Sequence, residues 1–345
     1  MGYLFLIITL ILFSVKGFCG KKTSTDIVLP TDPLLFNFLR MLLCILIGFF
    51  MILLDRARPQ MGVDPRLLLI TFFAGAANVA FLVGWILAVR RIPLVTMDVA
   101  LTIGSLLPAV LCLILFDEEI SVPKMIGFGL ILVATVVLSG YGGSTGKRAG
   151  FLGAALAVIA TLGEGLSSFC QQLYKQYFTE GGSRFVGVAY ANSVYQFYTY
   201  VFVAVLLLLI FVGVAAYGRK KECACDGDQR PDGGGKTSDA QYGKSPDGCG
   251  KTSNAQYVKR LLASCKRPFP YIVIMAICLF GGNYLQTAAT VTYGMSPQVL
   301  YPVIKGGCLV TVTITAMLFF NEKPTRRSII GSAIALSGSV LMSVL

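Results

Sequence analysis

The sequence holds no histidine, and only 13% of its 345 residues are charged. Without an imidazole there is no histidine metal site and no histidine proton relay. Charge this scarce excludes an ordinary soluble domain, where about a quarter of the residues are charged. No nucleophile triad, metal-ligand cluster or cofactor loop stands out either, so the chain reads as a non-enzyme with no cofactor. Gly-Lys-Thr occurs twice, at 235–237 and 250–252. The leading Gly, strand and helix of a phosphate-binding loop are missing around both. Cys223-x-Cys225 has poor spacing for a metal and few partners.

What the chain does have is apolar length. Its mean hydropathy is +0.74 and 55% of its residues are hydrophobic. A bilayer core about 30 Å thick needs roughly 20 apolar residues per spanning helix. Ten segments approach that length, at about 2–19, 34–54, 67–89, 94–116, 123–140, 150–172, 186–216, 270–291, 297–320 and 326–345. A transmembrane barrel would show alternating segments about half as long. The expected fold is therefore all-α, a polytopic membrane protein with ten transmembrane helices. The first segment lacks the basic start and small-residue cleavage site of a signal peptide and is kept as a helix. The seventh exceeds a span and should tilt or protrude.

The net charge of +12 sits in loops and follows membrane topology rather than marking a nucleic-acid binder. Cys19, Cys44, Cys112, Cys170, Cys278 and Cys308 fall in apolar segments, where cysteine acts as a small hydrophobe.

The segments repeat. At an offset of 204, Pro93 meets Pro297, Phe116 meets Phe320, Glu118 meets Glu322, Ser121 meets Thr325 and Gly127 meets Gly331. The shared Phe-x-Glu-x-x-Ser/Thr turn closes the fourth and ninth segments. Phe18-Cys19 against Phe169-Cys170 links the first and sixth more weakly. This divides the chain into 1–146 and 147–345. Each half holds five spans, an odd number, so the second half starts on the opposite side of the membrane and the repeats are inverted. The length difference is mostly a hydrophilic insertion at 218–268. It contains Pro231-Asp-Gly-Gly-Gly-Lys-Thr-Ser-Asp-Ala-Gln-Tyr242 and, fifteen residues on, a near copy from Pro246 to Tyr257. Its composition predicts disorder.

Phe116-Asp-Glu-Glu-Ile-Ser121 and Phe320-Asn-Glu-Lys-Pro-Thr325, each followed by a Gly-rich helix, resemble the turns of the drug/metabolite transporter superfamily, above all its ten-helix EamA-type members. The last helix, from Ile329 to Leu341, is similar too. The resemblance covers nearly the whole chain except the insertion. It implies eight helices around a central cavity, helices five and ten at the periphery, and secondary transport of a small metabolite or drug-like molecule. Export by alternating access is the expected mode, with the proton as a candidate coupling ion, in a plasma or bacterial inner membrane. The odd-numbered loops carry most of the Lys and Arg, eleven of them in 218–268 alone. The positive-inside rule places those loops in the cytoplasm, whereas the family places the even ones there, so orientation stays open.

A charge at mid-helix costs at least about 2.5–3.5 kcal/mol on insertion scales, so such residues mark a wet cavity or a partner. Four stand out: Glu164, Lys305, Asp98 and Arg40. Glu164 leads, flanked by Gly163 and Gly165, which let a helix or ligand come close. The small multidrug exporters of the same superfamily carry a membrane glutamate on their first helix, and the sixth helix here opens the second repeat. Glu164 is either a coupling carboxylate or a structural partner of Lys305 or of a hydroxyl. Lys305, between Pro302 and Gly306-Gly307, where the helix is expected to loosen, either binds an anionic group or balances Glu164. Asp98 lies near the start of the fourth helix. Arg40 either faces the cavity or snorkels to headgroups.

Polar and aromatic clusters supply further candidates: Tyr190, Asn192, Tyr195 and Gln196 at the start of the seventh helix, Asn283, Tyr284 and Gln286 on the eighth, and Tyr301 on the ninth. They either line a small-molecule cavity or make interfacial and interhelical contacts. Glu118 and Glu322 read as helix-turn elements. The alternative to a transporter is a receptor or scaffold that presents the basic 218–268 loop to partners.

Overall fold

The computed structural model describes residues 2–24, 32–55, 64–89, 91, 97, 100–101, 104, 106–116, 121–139, 151–185, 187–226, 268–320 and 326–344. Among them are ten helices: α1 (Gly2–Ser24), α2 (Asp32–Leu54), α3 (Pro65–Val89), α4 (Leu106–Phe116), α5 (Val122–Ser139), α6 (Phe151–Phe178), α7 (Asn192–Asp226), α8 (Phe269–Val291), α9 (Pro297–Phe320) and α10 (Arg326–Val344). Six of these, α1, α2, α3, α6, α7 and α8, hold described stretches long and apolar enough to cross a bilayer.

The residue distribution is inverted relative to a water-soluble protein. Large apolar side chains point outward along the helices, among them Leu46, Phe73, Ile114, Leu162, Leu209 and Ile277. Polar side chains such as Asn37, Thr71, Gln171, Gln172, Gln196 and Gln286 are buried. In water that outer face would drive aggregation; in lipid it meets its solvent. The chain is a multi-pass membrane protein. Helix hydroxyls are satisfied locally, as Ser14, Thr71, Thr199 and Thr287 each donate to the carbonyl four residues back.

Local sequence sets the helix ends. Pro65 and Pro297 occupy first-turn positions that need no N–H. Asp64 accepts the Arg66 N–H at 2.8 Å and so caps α3. Gly294 turns the chain from α8 into α9 at φ +63°, a conformation that L side chains rarely adopt. Arg184, after α6, donates to the Leu115 carbonyl at 3.0 Å and lies over the Phe116 ring, tying the α6–α7 connection to the end of α4.

Several helix contacts keep one pattern when helix n is exchanged with helix n + 5. The α3–α6 contact has its counterpart in α1–α8, α3–α7 in α2–α8, and α1–α9 in α4–α6. The α2–α7 and α5–α10 contacts map onto themselves. This is the contact pattern of two five-helix repeats. With α5 and α10 packed on each other, the buried core lies among α2, α3, α6, α7 and α8.

Three expectations need correction. The seventh helix starts at Asn192 rather than at 186, so Tyr190 precedes it. Tyr190 is pinned there by its backbone: its N–H donates to Phe178 O at 3.0 Å, and its carbonyl accepts the Tyr174 hydroxyl at 2.7 Å. The same helix continues to Asp226, so the first residues of the 218–268 stretch are helical; residues 227–267 lie outside the described residues. Finally, α9 runs unbroken through Lys305-Gly306-Gly307 instead of loosening. Gly307 admits a neighbour: a Cβ there would collide with Leu10 of α1.

Candidate functional site

Between α1, α3, α6, α8 and α9 lies a small cavity of about 40 Å³. Its lining follows helical stripes. On α6 it takes Glu164, Ser167, Ser168 and Gln171, spaced i, i+3, i+4, i+7, which is one face of a helix. On α9 it takes Tyr301, Ile304 and Lys305. Helices α1, α3 and α8 give Phe13 with Lys16, Asn78 with Phe81, and Asn283 with Gln286, each pair three apart. Since α1 matches α6 and α3 matches α8 under the exchange of halves, both repeats build this one space.

Glu164 and Lys305 meet there. The Lys305 ammonium donates to Glu164 Oε1 across the cavity lining, with both side chains less than a fifth exposed. Glu164 Oε2 is buried and has no hydrogen-bond partner. The pair is held where it is by glycine. A Cβ on Gly163 would sit 2.6 Å from Ala77 O and from Phe81 N, and one on Gly165 would sit 2.6 Å from Gly104 O. So α6 lies backbone to backbone on α3 and close to Gly104, and the flanking glycines serve helix approach.

A hydrogen-bond web closes one wall. The Tyr301 hydroxyl accepts from Gln172 Nε2 at 2.8 Å, and its proton has two acceptors within reach, Ser168 O at 3.0 Å and Gln171 Oε1 at 3.1 Å. Gln286 Nε2 donates to Gln171 Oε1 at 3.2 Å. These bonds join α6, α8 and α9 in a setting where an unmet polar group has no water to turn to. Asn78 Nδ2 donates to Ser167 Oγ at 2.7 Å, and Asn283 Nδ2 donates to the Tyr200 hydroxyl at 2.8 Å.

Residues 1–140 match the EamA-like transporter family. The matched stretch ends one residue past α5, so it spans the first repeat. No curated protein matches the chain in sequence. Among 27 matching chains of solved structures is a crystal structure described only as that of a protein. It is similar with a TM-score of 0.61 and 15% identity, over 99% of this chain and 96% of that one. That likeness is one of fold. The EamA-like half contributes Phe13, Lys16, Asn78 and Phe81 to the cavity, while Glu164 and Lys305 stand on helices beyond the match.

Of the residues singled out in the sequence, Glu164, Lys305, Asn283, Gln286 and Tyr301 line this cavity. Asp98, Glu118 and Glu322 lie outside the described residues. Arg40 stands on α2, 6% exposed, with a terminal nitrogen 2.6 Å from Asn37 Oδ1 and its Nε unpartnered, so it is buried rather than snorkelling.

The α7 cluster makes interhelical bonds elsewhere. Asn192 donates to Tyr284 O, Gln196 donates to Thr287 Oγ1, and Tyr195 stacks on Tyr174 with ring centres 4.5 Å apart. Tyr284 stacks on Phe280, and the Tyr190 hydroxyl accepts the Asp64 N–H at 3.1 Å.

Sequence reading missed Lys16, Asn78, Ser167, Ser168 and Gln171. The signal for the last three is the i, i+3, i+4, i+7 polar stripe that Glu164 opens. For Asn78 it is that Ala-Asn78-Val corresponds to Gly-Asn283-Tyr on the repeat-related helix. Lys16 has the plainest signal, a cation inside an apolar segment.

Proposed function

We propose that this protein is a secondary transporter of a small metabolite or drug-like molecule, working as an alternating-access exporter. The halves 1–146 and 147–345 are its two moving units. The observation that supports this most directly is the Glu164–Lys305 ion pair lining a cavity to which both repeats contribute. A buried pair of this kind is weak evidence for stability, since its desolvation offsets its attraction. Inside an exporter it has a use: two charges that separate and rejoin as a ligand comes and goes bias the helices between arrangements.

In this reading Glu164 also carries the coupling proton. Oε2, the oxygen that Lys305 leaves unpaired, accepts the proton without losing the Lys305 bond at Oε1. Glu164→Gln keeps the shape and removes the carboxylate oxygen that takes the proton. In proteoliposomes it should fold as the parent does and abolish pH-driven flux. Unchanged flux removes the coupling role. The match of residues 1–140 to a transporter family favours this reading over that of a receptor or scaffold.

A further inference from the structure

Lys16 has no task in that mechanism. It stands on α1, its ammonium 4.5 Å from the Phe13 ring centre, and it lines the same cavity as Glu164 and Lys305. Phe13 steadies the ammonium but adds no negative charge to balance it. Among the described residues Glu164 is the one carboxylate in the lining, and its Oε1 is engaged by Lys305. Behind the wall, on α2, Arg40 is buried with its Nε unpartnered and a neutral amide as its hydrogen-bond acceptor. Lys305, Glu164 and Arg40 all lie within electrostatic reach of Lys16. Among the described residues the cavity lining thus sets two cations, Lys16 and Lys305, against one carboxylate, an excess of one positive charge (2 − 1), and Arg40 is near enough to Lys16 to add to it. Low-dielectric walls focus such an excess into the space they enclose. Cations left without a protein anion inside a membrane mark a ligand path.

We propose that the cavity takes a small organic acid in its carboxylate form, with the Lys16 ammonium as the direct partner of the carboxylate and Arg40 reinforcing the field from behind. The proposal rests on the transporter reading for movement of the acid after it binds, but the anion site itself does not depend on it. The lining amides, Asn78, Asn283 and Gln286, supply neutral hydrogen bonds to the rest of the molecule.

The test uses three probes of one four-carbon length and different charge: succinate, succinamide and 1,4-diaminobutane. The full chain is reconstituted in phosphatidylcholine alone, so that no anionic headgroup competes. Binding of radiolabelled succinate and its displacement by the other two are measured first, then uptake of each. Succinate should bind at least about tenfold more tightly than either analogue. Lys16→Gln should remove that preference, and Lys16→Arg should keep it.

Binding by none of the three, equal or tighter binding of succinamide or diaminobutane, or a succinate preference that survives Lys16→Gln overturns the proposal. Loss of succinate binding on adding phosphatidylglycerol also overturns it and assigns the cations to a lipid headgroup. Succinate binding without uptake leaves the anion site standing and counts against transport. Uptake of the neutral or cationic probe alone does the reverse.

Discussion

Asn78 on α3 and Asn283 on α8 stand on helices that exchange under the repeat, and both line the central cavity. Each spends its amide on a neighbouring hydroxyl, Asn78 on Ser167 and Asn283 on Tyr200. Interhelical hydrogen bonds in membranes average about 0.6 kcal/mol and reach about 1.7 at most. Asn78→Leu and Asn283→Leu should therefore each lower stability by less than about 2 kcal/mol. Both should lower flux far more than such a loss of folded protein explains. Thermal unfolding of the purified variants and flux at matched protein amounts separate the two effects.

Glycine positions make a graded series. At Gly163 a Cβ meets three backbone atoms of α3, which cannot swing aside as a side chain can. Gly163→Ala should cost about 1–3 kcal/mol and lower the unfolding temperature. At Gly213, on the outer part of α7, a Cβ meets nothing within 4 Å. Gly213→Ala should be neutral or add up to about 1 kcal/mol through helix propensity. Unfolding temperatures of the pair, measured in one detergent, check the order.

Tyr301→Phe removes the hydroxyl at the centre of the α6–α8–α9 web. Gln172 Nε2 loses its acceptor, and Gln172 Oε1 already lacks a partner. The cost of leaving a buried donor unmet is about 1–3 kcal/mol. Tyr301→Phe should lose that much in unfolding experiments, and Gln172→Leu on the Tyr301→Phe background should recover part of it.

Deleting 227–267, which keeps the whole described length of α7, should leave flux intact. A scaffold acting through its basic loop would lose its function instead, so flux with and without the segment distinguishes the two.

The fold was legible because lipid imposes a length and a composition that soluble sequences do not share. Apolar runs of about 20 residues gave ten helices, and the Phe-x-Glu-x-x-Ser/Thr turns indicated a five-helix repeat that reappears in the helix contacts. Glu164 and Lys305 were visible for the same reason, as charges where charge is expensive.

The α7 residues were harder to place. Tyr195 and Gln196 are as polar as cavity residues, yet they face other helices, and composition cannot tell a wet space from an interhelical bond. Which side of a helix meets the cavity depends on packing, here on Gly163 and Gly165 bringing α6 onto α3 and Gly104. Lys16 was absorbed into an apolar segment because one cation among many aliphatic residues barely changes a hydropathy average.

In the proposed exporter, one cavity opens in turn to each face of the membrane. Ser167 lines it beside Glu164, so Ser167→Cys in a background without other cysteines reports access. A membrane-impermeant maleimide added from one side only, then from the other in separate vesicles, should label Cys at this position from both. Labelling from a single side, under conditions where flux is measured, would exclude that alternation.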